Sequence, residues 1–414
     1  MICSASRASA LGQLEGFFPI ASSYARDRNH VIPGHPSVSR LSPAIRHRLI
    51  TEQEVVAATL RVHPFGRVEK FIQEVYWRRY WKSWLALRPG VWATYLDDLG
   101  KIAGNSDVRR VEEARSGNAV IDHFANELVS TGYLHNHARM WFAAWWVHEA
   151  RLPWQLGAEF FFRHLLDGDP ASNILSWRWV AGLQTPGKTY LARRGNLEKY
   201  LAPELLDSFS GSMSAFENPQ ALQPETAAKA PVTHKEPPPE TRAPSLTTGL
   251  WIHEEDLSVE TSPLGGQSFS AVVVTADVEA WEQHRFPSTK RAWISEALQD
   301  AATRAEGFWN CPTFLEMDLS HTGALLRWVK SMNLQQVVAM RPEVGPLHDS
   351  LPTLQAELTR LGVRLVLIDR PEDIRVRPFA VAGFFPFWER LRKSLVARPS
   401  ANESHPQQTL LDLQ

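Results

Sequence analysis

Residues 131–147 read TGYLHNHARMWFAAWWV, and this stretch decides how the first half of the chain folds. Its apolar side chains Met140, Ala143, Ala144 and Val147 follow the i, i+3, i+4, i+7 spacing of one helix face. Helical spacing continues from about residue 41 to residue 205. It is interrupted by turn-forming Gly, Pro, Asn and Asp clusters at 88–90, 116–118 and 167–170. We therefore predict an all-helical domain over residues 1–205.

The pattern changes after this domain. Seven prolines lie between Asp207 and Leu250, and the apolar periodicity is lost, so we predict a partly extended linker over residues 206–266. Short β-branched runs then alternate with helical segments, which indicates an α/β Rossmann-like domain with a parallel sheet over residues 267–396, followed by a tail at 397–414. The predicted strands are 271–275, 312–317, 335–341 and 364–368, and the predicted helices lie near 288–306, 321–332 and 347–361.

Composition excludes several classes of protein. The chain has 44 Lys plus Arg against 45 Asp plus Glu, so no overall charge attracts it to nucleic acid or to an anionic membrane. Two cysteines, Cys3 and Cys311, are too few for a disulfide framework or a four-cysteine metal site. No apolar run approaches the roughly 20 residues that cross a bilayer. We expect a cytoplasmic protein with no metal and no membrane partner, and we note that 10 of its 16 tryptophans lie in the helical half.

A second motif, LDGDPASN at residues 166–173, is followed by Trp177-Arg178-Trp179. Together with Thr131–Met140 it resembles the signatures of the FAD-binding domain of DNA photolyases and cryptochromes, and the resemblance runs in order through residues 24–182. The resemblance implies FAD as cofactor. It also implies that Arg139 pairs with Asp167 beside the flavin, that Asp169 reaches the ribityl chain or ring, and that Asn173 faces the reactive ring nitrogen N5. A buried Arg requires such a carboxylate partner, although an ion pair of this kind can also be purely structural.

The opening part of the resemblance is Tyr24 with Arg28, followed by the segment Ser39-Arg40-Leu41-Ser42-Pro43. In the family this segment holds the FAD phosphates, which agrees with the free N–H groups and positive dipole of a helix start. The cofactor-binding residues that the resemblance implies are Tyr24, Ser39, Arg40, Leu41, Ser42, Arg78, Arg139, Asp167, Asp169 and Asn173.

Residues 71–80, FIQEVYWRRY, resemble the family helix that lines the lesion pocket. Glu74 and Trp77 are three residues apart and share a helix face. By resemblance, Trp77 stacks on a flipped pyrimidine dimer and Glu74 hydrogen-bonds to it; taken alone, the pair favours a core Trp beside a surface Glu. The catalytic residues that the resemblance implies are Glu74, Trp77, Asn136, Met140 and Trp179.

Three tryptophans often carry electrons to the flavin in this family, and Trp177 and Trp154 match the inner two. No Trp occurs between Ala93 and Met140, where the outer one should lie. The route is therefore either truncated or carried by another aromatic residue, although each of these is by default a packing residue. The candidates are Tyr95, Tyr133, Trp141 and Trp145. His135-Asn136-His137 also suggests a nuclease or metal site, but the two His point to different sides of a helix.

Residues 341–388 of the second half resemble, more weakly, the end of the photolyase antenna domain. In most of the family that domain comes first, so the resemblance implies a circular permutation; the antenna chromophore remains unknown. Residues 24–82 carry 11 Lys plus Arg against 5 Asp plus Glu, which fits either a DNA-binding patch or a solvated helical surface.

We predict an FAD-dependent, blue-light-driven enzyme, a deoxyribodipyrimidine photolyase-like lyase whose partner is damaged DNA. The main alternative is a cryptochrome-like photoreceptor flavoprotein without repair activity, which the replacement of a DNA-contacting Arg by His137 favours. A third interpretation is an interaction protein that has kept the fold and lost FAD.

Overall fold

The computed structural model describes residues 5–104, 106–185, 188–222, 230–233 and 240–396. The predicted tail at 397–414 and parts of the predicted linker lie outside this range. Within it the chain forms a helical half followed by a half built on a five-stranded parallel sheet. The predicted fold class is therefore confirmed.

The helical half is built around one long helix, α5, which spans Phe65–Ala86. Local signals fix the ends of its neighbours. Thr51 and Glu54 form a reciprocal capping box at the start of α4 (Glu52–Val62), and Asn118 caps α8 (Ala119–Thr131). The remaining helices are α1 (Arg7–Ala21), α2 (Tyr24–Asp27), α3 (Ser42–Arg46), α6 (Gly90–Lys101), α7 (Ser106–Glu112), α9 (Asn136–Ala144) with a π-helical turn at Trp145–Glu149, α10 (Trp154–His164), α11 (Pro170–Val180), α12 (Arg194–Tyr200), α13 (Pro203–Ser208) and a 3-10 turn at Ser210–Phe216.

The sheet has the strand order β3-β2-β1-β4-β5, and every neighbouring pair is parallel. Its strands are β1 (Thr248–His253), β2 (Ala271–Thr275), β3 (Thr313–Glu316), β4 (Gln336–Met340) and β5 (Arg364–Ile368). The helices of this half are α14 (Val278–Gln283), α15 (Ser288–Trp309), α16 (His321–Ser331), α17 (Pro346–Arg360), α18 (Pro371–Val376) and α19 (Phe384–Val396), with 3-10 turns at Val259–Thr261 and Arg377–Val381. The four predicted strands and three predicted helices are confirmed to within a few residues.

The predicted linker at 206–266 is wrong at its end, because it contains β1, the central strand. All six residues of β1 are buried. Gly249 is required there: a Cβ at this position would lie 2.3 Å from the Trp328 ring of α16. The predicted linker also contains the 3-10 turn at Ser210–Phe216, whose Met213 and Phe216 are buried.

The two faces of the sheet serve different cores. Trp251, Val273 and Val337 pack against α16 and α17, whereas Leu250, Val272 and Val338 belong to the core that continues into the helical half. This alternation is the period-2 pattern of a strand. The C-terminal segment leaves the sheet and packs on α5, where the Tyr80 hydroxyl donates to the Ala382 carbonyl at 2.9 Å. Among the described residues, no helix is long and apolar enough to span a bilayer.

Candidate cofactor site

The two motifs that carry the resemblance meet in space. The Leu166 N–H donates to the Gly132 carbonyl at 2.8 Å. Gly132 ends α8 with a φ of 68°, and a Cβ there would lie 2.7 Å from Leu166 Cγ, so both the turn and the close approach need glycine. The α8–α9 connection is thereby held against the α10–α11 connection, which places Arg139 next to Asp167.

A buried cluster of two guanidinium groups and two carboxylates forms at this junction. Arg139 donates from Nη1 to Asp167 Oδ2 at 3.1 Å, and its Nε donates to the Leu134 carbonyl at 2.7 Å. Arg78 of α5 reaches Asp167 at 3.3 Å and also pairs directly with Asp169. Asp167 is 4% exposed and Asp169 is fully buried. The predicted pairing of Arg139 with Asp167 is confirmed.

The carboxylates of this cluster are charged despite their burial. Burial alone would raise the pKa of Asp167, but Arg139 and Arg78 outweigh it and lower this pKa to about 2. Burial likewise opposes ionisation of Asp169, and Arg78, Lys82 and Arg46 together lower its pKa below the ordinary value. The cluster therefore presents fixed charges and oriented donors at neutral pH.

Helix α11 carries the remaining cofactor candidates of this motif. Asp169 caps it by accepting from the Ser172 N–H at 2.8 Å, and Pro170 occupies its first position. Asn173 donates from Nδ2 to the Ala158 carbonyl of α10 at 2.7 Å, which fixes the amide and leaves its oxygen as the acceptor. Trp177, 2% exposed, lies on Gly157 of α10, where a Cβ would come within 2.4 Å of its ring.

The opening motif reaches the same cluster at one point. Ser42 hydrogen-bonds to the Asp167 side chain. Leu41 is buried, and its N–H approaches Ser39 Oγ at 3.5 Å, while Arg40 adopts a φ of 54°. Tyr24 packs edge-on against Phe71 of α5 at 5.3 Å, and burial together with Glu74 raises its pKa.

These residues fit a ligand with ring nitrogens, carbonyls and hydroxyls. Across the described part of the chain, several buried polar atoms have no hydrogen-bond partner, and those in this region include Ser172 Oγ, His135 Nε2 and Trp177 Nε1. Unpaired buried polar atoms are rare, and each requires an explanation. A bound flavin would supply partners of the right kind.

Residues 71–200 match the family model described as the FAD binding domain of DNA photolyase. The helical half is similar to the FAD-binding domain of photolyases and cryptochromes. Its cofactor is FAD. This photolyase-type domain contains the whole cluster formed by Arg78, Arg139, Asp167 and Asp169.

Relatives of known name match about half of the chain. A deoxyribodipyrimidine photo-lyase of Streptomyces griseus is 29% identical over 201 residues, which is 45% of this chain and 43% of that protein. A cryptochrome DASH of Idiomarina loihiensis is 29% identical over 240 residues, 54% of this chain and 51% of that one. A bacterial class III photolyase from Agrobacterium tumefaciens has a similar structure, with a TM-score of 0.41 and 24% identity over 51% of this chain and 44% of that one. The chain thus spans about half the length of the relatives it matches.

The predicted lesion-pocket residues have different partners in the photolyase-type domain. Asn136 is exposed and its amide lies 3.8 Å from the sulfur of Met140, so these two are neighbours. Glu74 pairs with Arg28 at 3.1 Å and with Lys70 at 2.9 Å. Trp179 stacks on Tyr190 at 5.4 Å between ring centroids.

Trp77 has a partner that sequence reasoning missed. Phe384 of α19 lies parallel to its ring, with 3.6 Å between centroids and 9° between planes. One face of Trp77 is therefore covered by a residue from the other half of the chain. The aromatic residues at 384–388 were the sequence signal for a packing contact, but they did not indicate that this contact is made with α5.

The basic patch expected over residues 24–82 is largely neutralised. Eight of its eleven cations have carboxylate partners: Arg26, Arg28, Arg46, Arg48, Lys70, Arg78, Arg79 and Lys82. Four of them, Arg46, Arg48, Arg79 and Lys82, are buried against acids of the sheet half. Part of the local excess of positive charge belongs to this interface, and the interpretation as a DNA-binding surface is wrong for these four buried residues.

The histidines of the 135–137 motif have structural partners. His137 Nδ1 lies 2.8 Å from the Asn29 carbonyl and its ring stacks on Trp141, while His135 Nδ1 accepts from the His137 N–H at 3.1 Å. Within the described ranges, no group of three or more His, Cys, Asp or Glu side chains is arranged to hold a metal ion.

A separate small cavity lies between the halves, at the carboxyl ends of β1 and β2. Its lining includes Arg46, Glu254 and Lys290. Burial, and then the neighbouring Asp277, raise the pKa of Glu254 to about 7, whereas burial and Arg46 lower the pKa of Lys290 to about 7. This cavity therefore contains groups that titrate near neutrality. The cluster of Arg78, Arg139, Asp167 and Asp169, which we call the flavin cluster, instead stays charged at neutral pH.

Proposed function

We propose that this chain is an FAD-dependent, blue-light-driven photolyase that repairs a pyrimidine dimer in DNA by electron transfer from the reduced cofactor. The buried Arg139–Asp167–Arg78–Asp169 cluster carries the proposal, because it puts the motif residues of a photolyase-type FAD-binding domain in contact with one another. Photolyases of known name among the relatives support the choice of reaction.

The cluster would hold FAD. When bound, FAD supplies the light absorption and the transferable electron. Arg139 and Arg78 keep Asp167 ionised, Asp169 orders the start of α11, and Asn173 presents its amide oxygen from a fixed position. Arg78, Arg139 and Asn173 lie on helices, and their bonds to Asp167 and the Ala158 carbonyl hold the site in a preorganised geometry.

The lesion would bind beside this site. Trp77, Trp179, Asn136, Met140 and Glu74 are proposed as its contacts. Phe384 already backs one face of Trp77, so a flipped base would stack on the opposite face. The Asn136 side chain is exposed at the start of α9 and offers both a donor and an acceptor to a base edge.

We further propose that the sheet half is a photolyase antenna-type domain that follows the FAD domain in a circular permutation. Its doubly wound strand order and the packing of α19 on α5 support this arrangement. The proposed boundaries are residues 1–205 for the FAD domain and about 248–396 for the antenna-type domain, since β1 belongs to the sheet.

A cryptochrome-like photoreceptor is the second candidate, and a specific observation favours it. Phe384 covers one face of Trp77, Glu74 is engaged by two cations, and most of the 24–82 cations are paired within the protein. These contacts leave fewer groups free to bind DNA, while the cluster of Arg78, Arg139, Asp167 and Asp169 is formed in either case.

The test is an absorption spectrum of the purified chain, before and after blue light, with a dimer-containing oligonucleotide present. Flavin bands with loss of dimers support the photolyase; flavin bands with unchanged dimers support the photoreceptor; absence of flavin refutes both.

Trp77→Ala should weaken binding of dimer-containing DNA by about 5- to 150-fold, the equivalent of about 1–3 kcal/mol of stacking, and should leave FAD bound. Trp309→Ala, at the end of α15 away from α5, is the control and should bind such DNA like wild type.

A further inference from the structure

A chain of aromatic rings runs from the half-buried Trp154 to the buried Tyr95 and Trp92. The Tyr95 ring of α6 lies 5.7 Å from the Trp154 ring, and the Trp92 ring lies 5.6 Å from Tyr95 in a stacked arrangement. On the inner side, Trp177 contacts α10 at Gly157, one turn along the same helix from Trp154. Ring contact therefore runs from Trp154 through Tyr95 to Trp92, and Tyr95 lies in the segment where the sequence lacks a third tryptophan.

The hydroxyl of Tyr95 is buried and points at a carboxylate. Tyr95 is 2% exposed, and its hydroxyl lies 3.3 Å from Glu159 Oε2, with the Gln155 carbonyl at 3.5 Å. Glu159 is held in turn by His284 of the sheet half, whose Nδ1 lies 3.0 Å from Glu159 Oε1. Burial, and then Glu159, raise the pKa of Tyr95 well above its ordinary value, so the phenol is neutral at physiological pH.

We propose that Tyr95 is the outermost electron donor to the flavin in this chain and that Glu159 accepts its proton. The inference rests on the proposed light-driven function. Trp154, after losing one electron towards light-excited oxidised flavin, is the oxidant. Tyr95 gives it one electron, the phenolic O–H bond breaks, and the proton bonds to a Glu159 oxygen. The products are a restored Trp154, a neutral tyrosyl radical and a protonated Glu159, so electrons, protons and charge balance.

Other aromatic residues fit this role less well. Tyr133 lies against His35 and beneath the Arg139 guanidinium, whose charge opposes a positive hole. The Trp141 N–H donates to Asn196, and its ring stacks on His137. Trp92 stacks on Tyr95 and donates from Nε1 to Asp349 at 2.6 Å. Tyr95 combines ring contact with Trp154 and a proton acceptor within hydrogen-bond reach, and deprotonation keeps the radical from returning inward.

The experiment uses the full chain loaded with oxidised FAD and follows radicals after a blue-light pulse by transient absorption and electron paramagnetic resonance. Wild type should give a neutral tyrosyl radical. Tyr95→Phe keeps the ring and removes only the hydroxyl, so it should abolish that signal and leave a short-lived tryptophan radical. Glu159→Gln should slow formation of the tyrosyl radical by about 100-fold, the lower range of a general-base effect. Tyr133→Phe is the matched control and should keep the signal.

A tyrosyl radical that persists in Tyr95→Phe overturns the assignment, as does one that depends on Tyr133, or a terminal tryptophan radical that is lost in Trp92→Phe. A chain that binds no flavin refutes the proposed function together with this inference, whereas a flavin-loaded wild type that forms no light-induced radical refutes the inference alone. Photoreduction of bound flavin that is unaffected by Tyr95→Phe refutes the inference alone.

Discussion

Replacing Asp167 by Asn tests whether the flavin cluster is held together by charge. Asp167 is 4% exposed and shared by Arg139 and Arg78. These partners lower its pKa from the ordinary 3.8 to about 2, which corresponds to about 2.5 kcal/mol of stabilisation at neutral pH. Asn keeps the shape and removes the charge. We therefore expect the free energy of unfolding without flavin to fall by about 2–3 kcal/mol at pH 7.

Urea denaturation at several pH values measures this difference. Because folding lowers this pKa, the stabilisation is complete above the unfolded value of about 4 and disappears as the pH falls towards 2. The gap between wild type and Asp167→Asn should therefore close over that interval. Asp97→Asn, in an exposed pair with Lys101, is the control and should cost less than about 0.5 kcal/mol. A loss at Asp167 no larger than at Asp97, or a gap that persists at pH 2, would refute the reasoning.

Two further changes test the surroundings of the site. Gly157→Ala would place a Cβ 2.4 Å from the Trp177 ring. The crowding cost of about 1–3 kcal/mol exceeds the helix-propensity gain of about 1 kcal/mol, so the melting temperature should fall. Gly100→Ala, in open space on α6, is the control and should raise the melting temperature slightly. Equal melting temperatures for Gly157→Ala and wild type would contradict this packing. Glu254→Gln tests the cavity between the halves: the raised pKa of Glu254, about 7, makes wild type less stable as the pH rises from about 4.5 to 7. The Gln variant should flatten this part of the stability profile in chemical denaturation, and parallel profiles would show that Glu254 does not titrate there.

Local sequence patterns predicted most of the elements but missed β1. Four strands could be predicted from short apolar and β-branched runs, for example Ala271–Thr275. β1 has only three consecutive apolar residues, Leu250–Ile252, and carries Gly249, which disfavours a strand in isolation. Its Gly is needed because Trp328 packs against the strand, a contact made 79 residues later in the chain. Tertiary packing, and not local propensity, therefore makes this segment the centre of the sheet.

The candidate site likewise contains some contacts that the sequence predicted and others that it did not. Arg139 and Asp167 could be paired from sequence because two ordered motifs match a family whose geometry is shared. The stacking of Phe384 on Trp77 joins residues more than 300 positions apart, and the bond between Arg79 and Asp373 spans 294. The charge count over residues 24–82 included the cations but not the carboxylates of the sheet half that pair with four of them. It therefore indicated an exposed patch where part of an internal interface lies.

Adjacent residues of α5 connect the cofactor cluster to the sheet. Arg78 pairs with Asp167 and Asp169, whereas Arg79 binds Asp373 at 2.8 Å. Successive helical side chains point about 100° apart, so one helix can serve both sites. The sheet-side partners, Glu255, Asp256, Glu343 and Asp373, follow the carboxyl ends of β1, β4 and β5, the edge at which doubly wound sheets usually bind ligands.

In this chain the carboxylates at that edge are engaged by buried cations of α3, α5 and the turn that follows α3. Buried ion pairs of this kind tolerate few alternative arrangements, because any mismatch leaves a charge unpaired at a cost of several kcal/mol. The pairing of the halves is thus specified by side chains far apart in sequence and not by the segment that joins them. For that physical reason, the order of the two halves along the chain does not by itself decide whether these contacts can form.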